Sequence, residues 1–409
     1  MDFNFTIQQT RFREELRDFL RAEVPLEKQE VFGLLTEEQY QFGREINLKL
    51  AERDWLAVGW PEEHGGGGRG PIEQGILAED LGYWHVPKSG SIGLGIVGPA
   101  IMVFGTQDQK NRYLKPIARG EVEYCQGFSE PNVGSDLASL ELRAERDGDE
   151  YVLNGSKMFT SYAFHADYMY LLARTDPQAQ KHRGISLFIA DLKTPGIDLS
   201  PLPYINGEMA AQTTFDNVRL PLSCLIGEEN RGLRAMFAMM NHERLAVGME
   251  GVGVAEIAYQ NGLAYALDRL QGRDLGGARY PEQEADPLIV HPDIRRMLLR
   301  AKSLIEGMRC LAVWTGISID RSLADPDEAI REENGELVEI LTPIVKALCT
   351  DLGCEITNDM LQIYGGHGYI REHGMEQFVR DLRIAPIWEG TNGIQALDLA
   401  GRKLPRDMG

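Results

Sequence analysis

The sequence has few cysteines, no long apolar run and no excess of positive charge, and each absence argues against a class of protein. The five cysteines are odd in number and lack paired short spacings, which indicates reduced thiols. Cys349 and Cys354 might suggest a metal site, but no His or further Cys stands at ligand spacing beside them. We therefore expect buried thiols and no bound metal.

No stretch of eighteen uncharged apolar residues occurs, so we expect no membrane-spanning helix. The first twenty residues carry acids in an amphipathic pattern, whereas a secretory signal has a basic start followed by an apolar block. The formal net charge of −20 disfavours nucleic acid, because an acidic chain repels a phosphate backbone. We expect a cytoplasmic protein with no nucleic-acid or membrane partner.

The residue patterns change twice along the 409 residues and predict an α+β architecture of three domains. Residues 1–122 show helical spacing and predict an N-terminal helical domain. Residues 123–238 show short alternating segments, with a hairpin signal at Asp147-Gly148, and predict a central antiparallel β domain. Residues 239–409 carry long three-four apolar stripes and predict a C-terminal domain resembling a four-helix bundle.

A run of four glycines, Gly65 to Gly68, has the composition of a phosphate-binding loop. It lacks a following Lys-Ser/Thr, and no clear strand precedes it. We interpret it as a plain flexible loop.

Four stretches of the sequence resemble the acyl-CoA dehydrogenase family and occur in the family's order. They are Tyr124–Asp136, Leu153–Ser161, Gln362–Tyr369, and Arg380-Asp381 followed by Ile387–Gly393. The first and last are the most specific, and the general similarity covers nearly the whole chain. The resemblance implies the family's three-domain fold, FAD as cofactor, an acyl-CoA substrate, and electron-transferring flavoprotein as partner.

The resemblance also implies which residues contact the cofactor and the substrate. The implied FAD-binding residues are Phe128, Ser129, Gly134, Ser135, Phe159, Ser161, Arg269, Gln271, Gln362, Gly365, Gly366, Thr391 and Gly393. The implied substrate-binding residues are Ser135, Asn241, Glu243, Arg244 and Gly390.

Two segments depart from the family pattern. Phe159 and Ser161 stand where relatives usually have Trp over the flavin ring and Thr near its N5 atom, and Phe159 could instead belong to the β-domain core. After Gln271 most relatives have Phe-Gly, whereas this chain has Gly272-Arg273, which puts the adenine end of the FAD site in question. The glycines of the third stretch can also be read as an ordinary helix stop.

Glu389 is the residue that the resemblance assigns as the catalytic base. Removing the α-proton of an acyl thioester needs a positioned carboxylate, and an apolar setting would raise its pKa. Ile387 and Trp388 belong to an apolar run that we expect to supply this setting. We expect Glu389 to project from a turn just ahead of a helix.

Glu243 is a second candidate base, because some family members carry the base on the corresponding helix. Two carboxylates in one cavity would push their pKa values apart. We favour Glu389 and expect Glu243 to pair with a cation or line the pocket, beside Arg244. The reading of Glu243 and Arg244 as a plain surface charge pair stays open.

The resemblance leaves the wider function open in three respects. An acyl-CoA oxidase, or a subunit of a hetero-oligomeric acyl-CoA dehydrogenase, would share these motifs; otherwise the family implies a homotetramer or homodimer. The acyl group is not specified. Ser91, Gly93, Gly95 and Gly98 suggest room for a bulky acid.

Overall fold

The computed structural model describes residues 4–25, 36–84, 86–87, 90–237 and 240–406, without the side chains of residues 71 and 240–242. The chain forms two compact units, Met1–Met239 and Met240–Gly409. The first unit contains helices followed by a β-sheet, and the second is helical, which confirms the predicted α+β class. The exact domain boundaries, 1–122, 123–238 and 239–409, stay predictions.

The described residues of the first part of the first unit contain five α-helices. They are α1 (Ile7–Glu23), α2 (Glu37–Ala51), α3 (Pro71–Tyr83), α4 (Gly98–Phe104) and α5 (Gln107–Ala118). Helices α1, α2 and α5 each begin with a Thr-x-x-Gln capping box, in which side chain and backbone satisfy each other's hydrogen bonds. Helix α1 buries Phe12, Leu16 and Leu20, whereas Phe5 precedes the helix and is exposed.

The glycine run Gly65–Gly68 is packed against the chain before it, so its interpretation as a plain flexible loop was wrong. A Cβ atom at Gly66 would lie 2.2 Å from the Trp60 carbonyl oxygen, and one at Gly67 would lie 2.5 Å from that of Asp54. The four glycine N–H groups donate to carbonyl oxygens of residues 57–62. No free row of donors is left for a phosphate.

The β domain is one sheet of eight strands. The strands are β1 (Tyr124–Gly127), β2 (Arg143–Asp147), β3 (Glu150–Ser161), β4 (Tyr168–Arg174), β5 (Ile185–Asp191), β6 (Ile197–Pro203), β7 (Met209–Pro221) and β8 (Leu225–Ile226). Their order is β6-β7-β3-β2-β4-β5-β8, and β1 pairs with β4. The sheet is mainly antiparallel, but β4 pairs in parallel with β1 and, at one residue pair, with β2. The predicted hairpin lies between β2 and β3, with Gly148 at φ +63°.

The first unit ends with the short helix α6 (Gly232–Phe237), and the second unit is built on three long helices. These are α7 (Met240–Asp268), α8 (Pro292–Ala324) and α9 (Glu328–Tyr364), followed by α10 (Met375–Leu382) and α11 (Asn392–Asp398). The predicted stripes of α8 and α9 supply much of the core, including Met297, Ile305, Val345 and Ile356, although Leu348 is 43% exposed. The connection between α8 and α9 is only three residues long, because the Asp327 side chain caps α9 by accepting from the Ala329 N–H.

Helices α7 and α9 run parallel and approach closely through glycines. A Cβ at Gly248 would lie 2.6 Å from Val345, and one at Gly262 would lie 2.7 Å from Met360. Because residue numbers increase in the same direction along both helices, their N-terminal halves lie at the same end of the bundle. This arrangement decides which predicted site residues can meet.

Candidate functional site

Glu389 lies in a tight turn between α10 and α11, where the sequence predicts it. Its backbone adopts φ +51° and that of Gly390 φ +83°. The left-handed region is unfavourable for a residue with a side chain, so Glu389 is held there by its surroundings. The Thr391 hydroxyl caps α11 by accepting from the Ile394 N–H at 3.2 Å.

Two side chains that the sequence reading missed hold this turn. Gln395 is 1% exposed, and its Nε2 donates to the carbonyl oxygens of Gly390 at 3.0 Å and Glu389 at 3.4 Å. Asn392 accepts from the Nζ of Lys346 at 2.9 Å. Because Lys346 is on α9, the turn is fastened to the bundle.

The sequence signal for Lys346 is its position directly after Val345, a residue of the apolar α9 stripe. A buried ammonium group is stable only when other groups pair with it. Lys346 is fully buried, and its charge acts on Glu389. Sequence spacing alone could not say that its partners lie beside α11.

The charges around Glu389 form a mixed cluster on α7 and α9. Burial raises the pKa of the Glu389 carboxyl, while Arg244 and Lys346 oppose the increase. Burial and the Glu389 charge together raise the pKa of Glu243 to about 7. Glu243 and Glu389 therefore interact electrostatically. Arg244 is 8% exposed and is not part of a surface charge pair.

The apolar run before Glu389 does not enclose it as expected. Ala385 is buried, but Ile387 is 48% exposed and Trp388 is 36% exposed. Glu389 itself is only partly buried, and this pair of exposed side chains does not supply its apolar setting.

Apart from Thr391 and Gly393, which adjoin the Glu389 turn, the predicted FAD residues of the second unit lie at the far end of the bundle. Gln362 is 16 residues beyond Lys346 on α9, about 24 Å along the axis. Arg269 follows the end of α7, about 38 Å from Glu243 at its start. A hydrogen bond of 2.9 Å between Tyr265 and His367 joins these two helix ends. The structure thus brings Arg269 near Gly365 and Gly366 and separates all three from Glu389.

The departure at Gly272-Arg273 belongs to an ordered excursion. The Asp286 carboxylate accepts from the N–H groups of Asp274, Arg279 and Tyr280. Arg273 donates to the same carboxylate and to three carbonyl oxygens of the excursion. Arg273 is therefore used within the chain, while Arg269 donates to Gln271 at 3.3 Å.

In the first unit, the predicted flavin stretches meet. The Met158 N–H donates to the Ser129 carbonyl oxygen at 2.8 Å. Lys157 is fully buried and donates to the Phe128 carbonyl at 3.1 Å and to Glu130 at 2.8 Å. These contacts fix the loop after β1 against the end of β3.

Phe159 does not belong to the β-domain core. The β3–β7 register shifts between Lys157 and Thr160, and Phe159 has φ +62° within this irregularity. Its side chain is 53% exposed. Ser161 follows at the strand end, where its side chain hydrogen-bonds Tyr204. The alternative interpretation of Phe159 as a core residue was therefore wrong.

Several predicted contact residues have no structural requirement within the chain. Gly134 and Ser135 are exposed, and a Cβ at Gly134 or Gly366 would meet open space. Gly365 differs from these, because its φ of +57° at the end of α9 favours glycine whatever the space around it. Gly393 is an exposed residue of α11. Roles of these residues toward a ligand stay predictions, and the side chain of Asn241 lies outside the described residues.

Two of the residues predicted to leave room for a bulky acyl group, Gly93 and Gly98, do not do so. A Cβ at Gly98 would fall 1.9 Å from the Trp60 ring, and one at Gly93 would fall 3.3 Å from Ile117 and Tyr124. The space beside both residues is filled by the first unit itself. They give no indication of the size of the acyl group.

The described ranges contain neither a membrane-spanning helix nor a cluster of metal ligands. No helix there is both long and apolar enough to span a membrane. In the same part of the chain, no three His, Cys, Asp or Glu side chains cluster as a metal site requires.

Comparison with known proteins identifies the family. The N-terminal, middle and C-terminal domains of acyl-CoA dehydrogenase match residues 6–121, 125–218 and 230–404. The solved structure described as the Tcur3481-Tcur3483 steroid ACAD is 32% identical, with a TM-score of 0.81 and 98% of each chain covered. The chain belongs to the acyl-CoA dehydrogenase family.

Two further relatives give the range of this acyl-CoA dehydrogenase family. The 3-methylmercaptopropionyl-CoA dehydrogenase of Ruegeria pomeroyi is 37% identical over 88% of this chain, and the match spans only 63% of that relative's length. The ChsE4-ChsE5 complex from Mycobacterium tuberculosis is 28% identical with a TM-score of 0.78, covering 98% of this chain and 97% of that one.

Proposed function

We propose that the protein is an FAD-dependent acyl-CoA dehydrogenase in which Glu389 removes the α-proton of an acyl-CoA thioester. The observation that carries this proposal is the setting of Glu389. Its carboxyl has a raised pKa, lies beside Arg244 and Lys346, and is fixed in a strained turn. A positioned carboxylate of raised pKa is a stronger base, and the weakly acidic α-proton requires one.

The backbone at the same turn can stabilise the charge that develops. Within the described residues, the Glu389 N–H donates to no other group. Removal of the α-proton places negative charge on the thioester oxygen, and a fixed N–H donor lowers the energy of that state. We assign the Glu389 N–H to this oxygen.

The residues of the first unit suit a flavin ring. Phe159 offers a half-exposed aromatic face although its backbone conformation is unfavourable, and such strain often marks a ligand site. Phe128 and Ser129 are fixed beside it by Lys157 and Met158. Bound FAD supplies the acceptor for the β-hydride.

The distance between Glu389 and five of the predicted FAD-binding residues indicates how subunits would associate. Arg269, Gln271, Gln362, Gly365 and Gly366 lie together at the end remote from Glu389. We propose that they bind the dinucleotide portion of FAD held by a neighbouring subunit, in a homotetramer or homodimer. Thr391 and Gly393 lie beside the Glu389 turn and would contact the cofactor of their own subunit.

The substrate is proposed only as a class. One relative carries 3-methylmercaptopropionyl-CoA dehydrogenase in its name and another is described as a steroid ACAD, so the family accepts very different acyl groups. We propose an acyl-CoA thioester, contacted by Ser135, Asn241, Arg244 and Gly390. Electrons would pass to electron-transferring flavoprotein.

Glu243 is the second candidate for the base, because its pKa is also raised, to about 7. Glu389→Gln and Glu243→Gln make a matched pair of variants. Both should bind FAD, and a panel of short-chain, long-chain, branched and aromatic acyl-CoA thioesters would be scored by anaerobic flavin bleaching. We expect Glu389→Gln to slow bleaching by at least about 100-fold. Activity of Glu389→Gln together with loss in Glu243→Gln would transfer the role to Glu243.

Two simpler assays separate the alternative functions. Peroxide formation in air, compared with reduction of an artificial acceptor, tests the oxidase alternative. The ChsE4-ChsE5 relative is described as a complex, so a hetero-oligomer is also possible for this chain. Purification of the chain alone with stoichiometric FAD would count against an obligatory second subunit.

A further inference from the structure

Lys346 is a buried cation that has no assigned role in the proposed reaction. It is fully buried in the middle of α9, and its Nζ donates to Asn392 Oδ1 at 2.9 Å. A buried ammonium group loses hydration, so it is retained only where it pairs with nearby acceptors and charges. Lys346 is therefore held in place by specific partners.

Asn392 connects Lys346 to the turn that carries Glu389. The Asn392 side-chain amide donates to Thr350 Oγ1 at 2.9 Å and to Asp351 Oδ1 at 2.7 Å, both on α9. Its own N–H donates to the Pro386 carbonyl at 3.0 Å and closes the turn from the other side. A displacement of Lys346 would therefore be transmitted to the backbone of Glu389.

The charges that face Glu389 come from several elements. Glu243 and Arg244 on α7 and Lys346 on α9 interact with Glu389 directly. Asp351 acts on Lys346, and Asp398 and Arg402 act on Arg244, so these three reach Glu389 only through its neighbours. Asp398 pairs with Arg244 at 3.7 Å and with Arg402, so part of the Arg244 charge is already neutralised. Burial lowers the pKa of Lys346 to about 8, which leaves it charged at pH 7.

We propose that Lys346 is a positioning residue for Glu389, which it fastens through Asn392 and keeps ionised by a buried positive charge. This inference rests on the proposed role of Glu389 as the base. Without Lys346, the carboxylate would lose an opposing charge and take up a proton at higher pH. At neutral pH a smaller fraction of the enzyme would then hold an active base.

The test measures the titration of Glu389 directly and needs no known substrate. The C=O stretch of the protonated Glu389 carboxyl is obtained from infrared spectra of the purified protein minus those of Glu389→Gln. The purified protein and its Glu389→Gln variant both also carry Glu243→Gln, because two coupled carboxyls would otherwise titrate as a pair. In that background, Lys346→Gln keeps a donor for Asn392 but removes the charge, and Lys346→Arg keeps the charge. Lys302→Gln is the control, since Lys302 is half-exposed on α8 and pairs with Glu306.

We expect Lys346→Gln to raise the Glu389 midpoint by about one pH unit, and Lys346→Arg and Lys302→Gln to leave it nearly unchanged. If Lys346→Gln does not fold, Lys346→Met replaces it, because its flexible unbranched side chain carries no charge and suits a buried position, and it should raise the midpoint similarly. An unchanged midpoint in the charge-removing variant would show that Lys346 is only structural and overturn the proposal. Failure of the proposed function appears separately, as flavin bleaching that survives Glu389→Gln.

Discussion

The positive φ of Phe159 reverses the usual order of stability between alanine and glycine. An L-residue in the left-handed region is strained by about 1–2 kcal/mol, and glycine is not. Glycine in a strand otherwise costs about 0.5–1 kcal/mol relative to alanine. At φ +62° we therefore expect Phe159→Gly to be about 0.5–1 kcal/mol more stable than Phe159→Ala.

The exposure of the Phe159 side chain determines how much folding stability is lost when the ring is removed. Burying a whole phenylalanine side chain stabilises by about 1.5–3 kcal/mol, and this one is 53% exposed. Removal of the ring should then destabilise the flavin-free protein by about 1 kcal/mol, so Phe159→Gly should unfold close to the wild type. Both variants should bind FAD about tenfold more weakly, because an aromatic contact with the flavin ring is lost.

Urea unfolding of the flavin-stripped protein and FAD titration by fluorescence measure the two effects. Val152 lies in the same strand without a positive φ, so Val152→Gly should be less stable than Val152→Ala. A glycine variant less stable than the alanine variant at position 159 would refute the strain argument. Unchanged FAD affinity in both variants would refute the flavin contact.

Two further predictions concern the interior of the units. Gly251→Ala should destabilise the second unit by about 1–3 kcal/mol, because the new Cβ would lie 2.5 Å from the Cys349 carbonyl oxygen. Gly253→Ala is the control, since its Cβ would meet open space and the change should be neutral or stabilising. Thermal unfolding of the two variants checks this, and equal midpoints would contradict it. Burial raises the pKa of Glu123 to about 7, with Arg44 opposing, so the folded state holds this proton more tightly than the unfolded chain. That contribution to stability is complete below pH 4.5 and is lost as the pH rises through 7. Glu123→Gln should therefore gain about 1–2 kcal/mol relative to the wild type between pH 5 and 8, and a difference independent of pH would count against it.

The alternation of the β domain, the stripes of α8 and α9 and the Asp147-Gly148 hairpin could be predicted because each depends on residues close in sequence. The Glu389 turn was predicted for the same reason, since Gly390 and Thr391 mark a turn and a helix cap. The errors had a different origin. The Gly65–Gly68 run and the glycines at 93 and 98 pack against Trp60 and other distant residues, and local composition does not record such contacts.

The sequence by itself determined the order of helical and β regions, because periodicity and turn chemistry act over a few residues. It also contained the family motifs, and the resemblance they carry is what implies Glu389 as the candidate base. Only the tertiary structure decided that Lys346 stands beside Glu389, that Gly365 lies at the opposite end of the bundle, and that Phe159 points outward. These features depend on burial and charge between segments far apart in the chain, and the free energies of such contacts are set by packing rather than by local pattern.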